Sequence, residues 1–202
     1  MKKENRILAI VALVWISIST IVAAPRPSAI YISKAKDAKN IILNLDNMSA
    51  DQVTCTFINE EGAVIFKDVI ETANRVSKQY NMSQLPVGKY TIEVNDAIKI
   101  ERLDVHVNFN KVTLKDRISD VTFKPTVILS ENGTVDLNLL TLGDAAVVTF
   151  YGPKGHILKS DRFKNVNVVT KRYTLSEVEP GDYKVVISHK GKTFDHVLTI
   201  LG

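Results

Sequence analysis

Residues Tyr80–Val94 read YNMSQLPVGKYTIEV, and residues 173–187 read YTLSEVEPGDYKVVI. The two stretches align without a gap at a constant offset of 93 residues: Tyr80 falls on Tyr173, Ser83 on Ser176, Gly88 on Gly181 and Tyr90 on Tyr183. Self-similarity at a fixed spacing restricts the chain to architectures in which one structural unit occurs twice. Within the unit the apolar period is two. Val76, Lys78, Tyr80 and Met82 share one face of an extended segment, and Ser77, Gln79 and Asn81 share the other. A turn containing Pro86 and Gly88 follows, with Gly read as the residue supplying backbone freedom. Then comes a second alternating segment, with Tyr90, Ile92 and Val94 on one face. Tyr183, Val185 and Ile187 repeat it.

Carried along the chain, this pattern predicts seven short strands per copy with turn signals between them. The expectation is an all-β chain of two tandem seven-stranded antiparallel β-sandwiches. The first spans residues 29–107, the second 121–202, and residues 108–120 join them as a short ordered connector in which Gly and Ser are scarce. Tyr80, Gly88, Tyr90, Tyr173, Gly181 and Tyr183 are read as structural residues. Tyr90 and Tyr183 each follow a Gly turn at a strand start, the setting of a tyrosine corner, in which the ring packs inside and the hydroxyl bonds upstream backbone. Lys78 and Lys171 fall on the apolar face, where an inward charge on an edge strand blocks unwanted pairing and the ammonium reaches out at the rim.

The residues Leu85-Pro86-Val87-Gly88-Lys89-Tyr90-Thr91-Ile92 resemble the turn and strand of fibronectin type III and bacterial immunoglobulin-like domains. Ser83–Tyr90 is also similar to C-terminal sorting domains of bacterial type IX secretion, and small exported bacterial sandwich proteins of unknown function look alike there. The resemblance covers residues 29–107 and 121–201. It implies the sandwich fold and, more distantly, a secretion-targeting role.

Residues 1–24 read as a signal peptide or an N-terminal anchor. Lys2, Lys3 and Arg6 precede Ile7–Ala24, an almost unbroken apolar run with small residues at its end. Exported, periplasmic, cell-surface or secreted placement follows, with membrane attachment only through that segment if it stays uncut. Without it, the chain has 23 basic against 21 acidic residues. That near balance, and the lack of a basic stripe interleaved with aromatics, speaks against a nucleic-acid partner.

No catalytic constellation, metal set or cofactor motif is legible. His106, His156, His189 and His196 have no partner at metal-binding spacing and read as solvated. Gly191-Lys192-Thr193 reads as part of a hairpin turn and not as the end of a phosphate loop. Cys55, the single cysteine, shares a face with Val53 and Phe57, and Val148 stands at its place in the second copy. Both features predict a buried core thiol.

The functional expectation is a non-catalytic structural or interaction module of the bacterial cell envelope. Its partner is an envelope protein or glycan reached through sheet edges or loops. The alternatives are a carbohydrate-binding module and a type IX-like sorting domain. A sugar would need exposed aromatic rings, and Tyr31, Phe66, Tyr151 and Phe163 are the candidate ligand contacts.

Overall fold

The computed structural model describes residues 28–35, 39–72, 75–115, 118–175 and 178–201. The expected signal or anchor segment, residues 1–24, lies outside them, as does Ser176. Among the described residues the chain is built of strands, with no helix.

The first copy contributes β1 (Ala29–Lys34), β2 (Asn40–Asp46), β3 (Gln52–Asn59), β4 (Val64–Glu71), β5 (Arg75–Asn81), β6 (Gly88–Asn95) and β7 (Lys99–Val107). Two short strands follow, β8 (Val112–Leu114) and β9 (Asp120–Phe123). The second copy is β10 (Thr126–Leu129), β11 (Thr134–Leu140), β12 (Ala146–Tyr151), β13 (Ile157–Phe163), β14 (Val168–Thr174), β15 (Gly181–His189) and β16 (Lys192–Ile200). One sheet of the first copy has the order β1-β2-β5, and the facing sheet the order β4-β3-β6-β7. The second copy repeats this as β10-β11-β14 and β13-β12-β15-β16. All pairings are antiparallel. Three strands facing four in this order is the fibronectin type III arrangement of the immunoglobulin-like sandwich.

Strand alternation explains where each core sits. Ile41, Leu43 and Leu45 from β2 meet Val53, Cys55 and Phe57 from β3 and Tyr90, Ile92 and Val94 from β6 in one buried cluster. Val135, Leu137 and Leu139 meet Ala146, Val148, Phe150, Tyr183, Val185 and Ile187 in the other. Cys55 is fully buried, and burial pushes its thiol up to about 12. Between β15 and β16 the pairing His189↔Lys192 leaves a two-residue loop of Lys190 and Gly191, both with positive φ. Those are the requirements of a type I′ turn, which matches the twist of the flanking strands.

Three readings change. Gly88 does not need a glycine's freedom: it lies outside the left-handed region, and a Cβ there would meet the Tyr90 ring at an ordinary 3.9 Å. Gly181 does, with φ +151° and Pro153 Cγ 2.9 Å from where a Cβ would stand. His189 is buried, its Nδ1 3.3 Å from the Ala145 carbonyl oxygen, and is not a surface histidine. The fourth strand, which alternation places near Ala63–Lys67 and His156–Lys159, is longer in both copies, because β4 and β13 are edge strands whose two faces both mix apolar and charged residues.

The stretch after β7 is not a bare connector. β8 pairs with β7 through Val105↔Leu114 and Val107↔Val112, and β9 pairs with it through Lys99↔Phe123 to Arg102↔Asp120. The outer edge of β7 is therefore covered along both halves. The equivalent edge of β16 carries no strand among the described residues.

Candidate interaction surfaces

The open flanks of the two sandwiches are built alike. On the first, Tyr80 of β5 donates its hydroxyl to Asp68 Oδ2 of β4 at 2.8 Å, crossing from one sheet to the other. Lys78 Nζ lies 2.5 Å from the same oxygen. On the second, Tyr173 of β14 donates to Asp161 Oδ2 of β13 at 2.9 Å. Lys159 stands 3.9 Å from that oxygen and 5.3 Å above the Tyr173 ring centroid. Burial works against the Asp68 carboxylate, but the Lys78 and Tyr80 bonds outweigh it and hold it below the usual range. Both phenols are pushed up, by burial first and then by the neighbouring groups, the accepting carboxylate among them. The inward Lys78 thus closes the rim as an ion pair.

Two further tyrosines hold the turn before the sixth strand. Tyr90 donates to the Pro86 carbonyl at 2.9 Å and Tyr183 to the Glu179 carbonyl at 2.8 Å. Each bond spans four residues, the geometry of a tyrosine corner. All four repeated tyrosines are buried, with their hydroxyls engaged inside the protein.

Outside these bridges, β4 and β13 leave apolar side chains in solvent. Val64, Ile65, Phe66 and Val69 are exposed on β4, and Ile157 and Leu158 on β13. Val64 and Ile157 are equivalent in the duplication, as are Ile65 and Leu158. Beside β4 runs a cleft of about 380 Å³ lined by Phe57, Ile65, Phe66, Tyr80, Met82 and Leu85. The Phe66 ring forms its wall, edge-on to Phe57 at 5.7 Å and to Tyr80 at 6.1 Å.

The four candidate aromatic contacts do not converge. Tyr31 lies on β1, in the three-stranded sheet, whereas Phe66 belongs to the facing one. Tyr151 and Phe163 sit at opposite ends of the β12–β13 pair, Tyr151 opposite Ile157 and Phe163 opposite Ala146. Phe163 packs against the second core. No shared stacking surface results.

The copies are joined by charge. Lys192 Nζ lies 2.8 Å from both oxygens of the buried Glu93, and Arg102 Nε donates to Glu93 Oε2 at 3.1 Å. Arg102 also reaches Asp120 at 3.3 Å. Lys190, on the β15–β16 turn, donates to Asp120 and to the Val121 carbonyl. Burial disfavours the Asp120 charge, but Lys190 and Arg102 overcome it and keep the carboxyl below its ordinary range. Sequence reasoning missed Asp68, Asp161 and this network. The 93-residue offset relates Asp68 to Asp161, but no period singles them out.

Among the described residues no three His, Cys, Asp or Glu side chains are grouped to hold a metal, and no helix is long and apolar enough to cross a membrane.

No protein-family profile matches the sequence, and no curated protein does. Solved structures do. The chain is similar to a biofilm associated protein, BSP domain, at 17% identity over 82% of this chain and 27% of that one, with a TM-score of 0.29. It is similar to the human OSCAR ligand-binding domain at 10% identity, over 85% and 97% of the two chains, with a TM-score of 0.25. The chicken interferon gamma receptor alpha chain matches at 9% identity, over 87% and 97%, with a TM-score of 0.29. The chain spans about a quarter of the biofilm associated protein. The fold assignment rests on the strand order itself.

Proposed function

We propose that this protein is an exported, non-catalytic interaction module of the cell envelope. Residues 29–107 and 121–202 serve as two domains on the connector 108–120, and the edge strands β4 and β13 take an envelope protein partner. The observation that carries this is the recurrence of exposed aliphatic pairs, Val64-Ile65 and Ile157-Leu158, at equivalent places on unpaired strand edges. An edge strand offers unpaired N–H and C=O groups, and adjacent apolar side chains give a partner area to bury. Two such edges on one chain suit bivalent contact, where the second event gains from effective concentration. The perturbed groups support a structural reading: Cys55, Tyr80 and Asp68 form one internal cluster and Tyr173 bonds Asp161. Site-specific photocrosslinkers at Ile65 and Leu158 in intact cells test the proposal. One protein crosslinked from both positions is the expected result. Crosslinks to glycan alone would favour the carbohydrate-binding alternative, and no crosslink from either edge would overturn the reading.

A further inference from the structure

The two sandwiches differ on the side where the first and seventh strands approach each other. In the first copy that side is plugged. β8 lies against β1 while pairing with β7, its Val112 is 1% exposed within the core, and Leu114 packs on the same cluster. Val107, opposite Val112, is completely buried. In the second copy the same side is open. Ile200, at the place of Val107, is only half-buried. A cleft of about 470 Å³ lies between the ends of β10 and β16, lined by Leu129, Leu175, Ile200, Leu201, Glu131 and Asn132.

We propose that this β10–β16 side of the second copy is a strand-acceptor site. Its occupant is an extended segment of a partner protein carrying two aliphatic side chains one residue apart. The first copy supplies the pattern: Val112-Thr113-Leu114 pairs its backbone with β7 and drops both aliphatic side chains toward the core. Among the described residues no strand pairs with the outer edge of β16, and Leu129 and Ile200 wall a hollow where those side chains would go. Charge narrows the partner further. Glu131 on the rim favours a segment with basic residues beside the aliphatic pair, as Lys111 and Lys115 flank it in β8. Main-chain bonds supply affinity in strand addition, and alternate side chains in pockets supply selectivity. This deepens the interaction-module reading at a site separate from β4 and β13.

The test uses the whole protein and a synthetic peptide of its own residues 109–115, FNKVTLK, as probe. Hydrogen exchange should slow saturably across Val197–Ile200, the places of Asp104–Val107 that face β8 and Lys115 in the first copy, at about 1 mM peptide, a weak-binding regime. The peptide with V112D and L114D should give no protection. Ile200→Lys, at the mouth of the cleft, should weaken protection at least tenfold. Leu201→Lys, at a solvent-exposed position, is a second variant with little risk to folding and should weaken it too. Absence of protection in the wild type overturns the proposal. So does equal protection by the aspartate peptide, which would reduce the effect to nonspecific edge pairing. Self-association that protects β16 without peptide would assign the edge to a second copy and overturn the partner-strand reading. If peptide binding fails while Ile65 and Leu158 still crosslink one protein, only this site is lost.

Discussion

The Tyr80 hydroxyl and the Asp68 carboxylate meet at 2.8 Å across the gap between two sheets, and Tyr173 and Asp161 meet the same way at 2.9 Å. The bond ties an edge strand of one sheet to an edge strand of the other, at a flank where no backbone pairing can do so. Tyr80→Phe should cost about 0.5–1.5 kcal/mol, and Asp68→Ala, which also strands Lys78, about 1.5–3 kcal/mol. Urea unfolding of the two single variants and the double variant gives the coupling between them. Additive losses would show that the bond contributes nothing to stability.

Acid should lower the stability of the protein in two stages. Burial lowers the His196 pKa below its ordinary 6.5, overriding Asp195. A group depressed in the fold contributes stability fully above its unfolded value and loses it as pH falls through the folded one. The first stage therefore begins below about pH 6.5. Asp68 and Asp120 are held below the ordinary 3.8, so their contribution is complete above about pH 4 and disappears below it. His196 occupies the place of Leu103 in the first copy. His196→Leu should abolish the first stage and leave the second, as thermal melts between pH 7 and pH 3 would show.

At the alkaline end Cys55 is the first of the raised groups to act, before the Tyr80 and Tyr173 phenols. Its folded pKa is raised from 9.0 to about 12 by burial, so its stabilising contribution is full below pH 9 and is lost as pH rises toward 12. Cys55→Val, which copies Val148 of the second core, should keep neutral stability within about 1.5 kcal/mol, as near-isosteric swaps do. It should also remove the part of the alkaline loss that begins near pH 9, leaving the part above about pH 10 that belongs to Tyr80 and Tyr173. A Val variant with unchanged alkaline behaviour would move the titration to another group.

The two repeated glycines should behave differently. Gly181→Ala forces a Cβ against Pro153 in a backbone conformation that L-residues avoid, and should cost more than about 1 kcal/mol. Gly88→Ala finds only ordinary contact and should be near neutral. Equal melting shifts for the two would refute the distinction.

These glycines also show where sequence reading stops. Alternation placed the cores, because Leu43, Phe57 and Ile92 face inward by parity alone. The turn at Lys190-Gly191 was legible from Gly191, the residue that takes a positive φ without steric cost; that Lys190 also adopts one was not. Gly88 and Gly181 look identical in sequence, and only the folded backbone, at φ +151° for Gly181, and the neighbouring Pro153 separate them. Asp68 was hidden because β4, Val64–Glu71, has no clean polar face. The pairing of β8 and β9 with β7 was hidden because a run of three or four residues carries no information about which strand it will join.

The last prediction concerns the junction. Glu93 is buried and faces two cations, Lys192 from the second copy and Arg102 from the first. Removing one member of a buried ionic group leaves an uncompensated charge, whereas neutralising a partner on the rim changes little. Glu93→Gln should therefore loosen the copies more than Lys115→Gln, whose pair with Asp104 is exposed. Because the network is only partly open to solvent, salt should screen it weakly. Limited proteolysis should cut the Glu93→Gln variant within residues 108–125 several-fold faster than wild type, with the second sandwich melting as before and the first, which loses the Glu93–Arg102 pair, melting lower. Small-angle scattering should show a longer maximum dimension at the same time. Unchanged cleavage and an unchanged scattering profile would mean that β9 and Lys190, not Glu93, hold the two copies together.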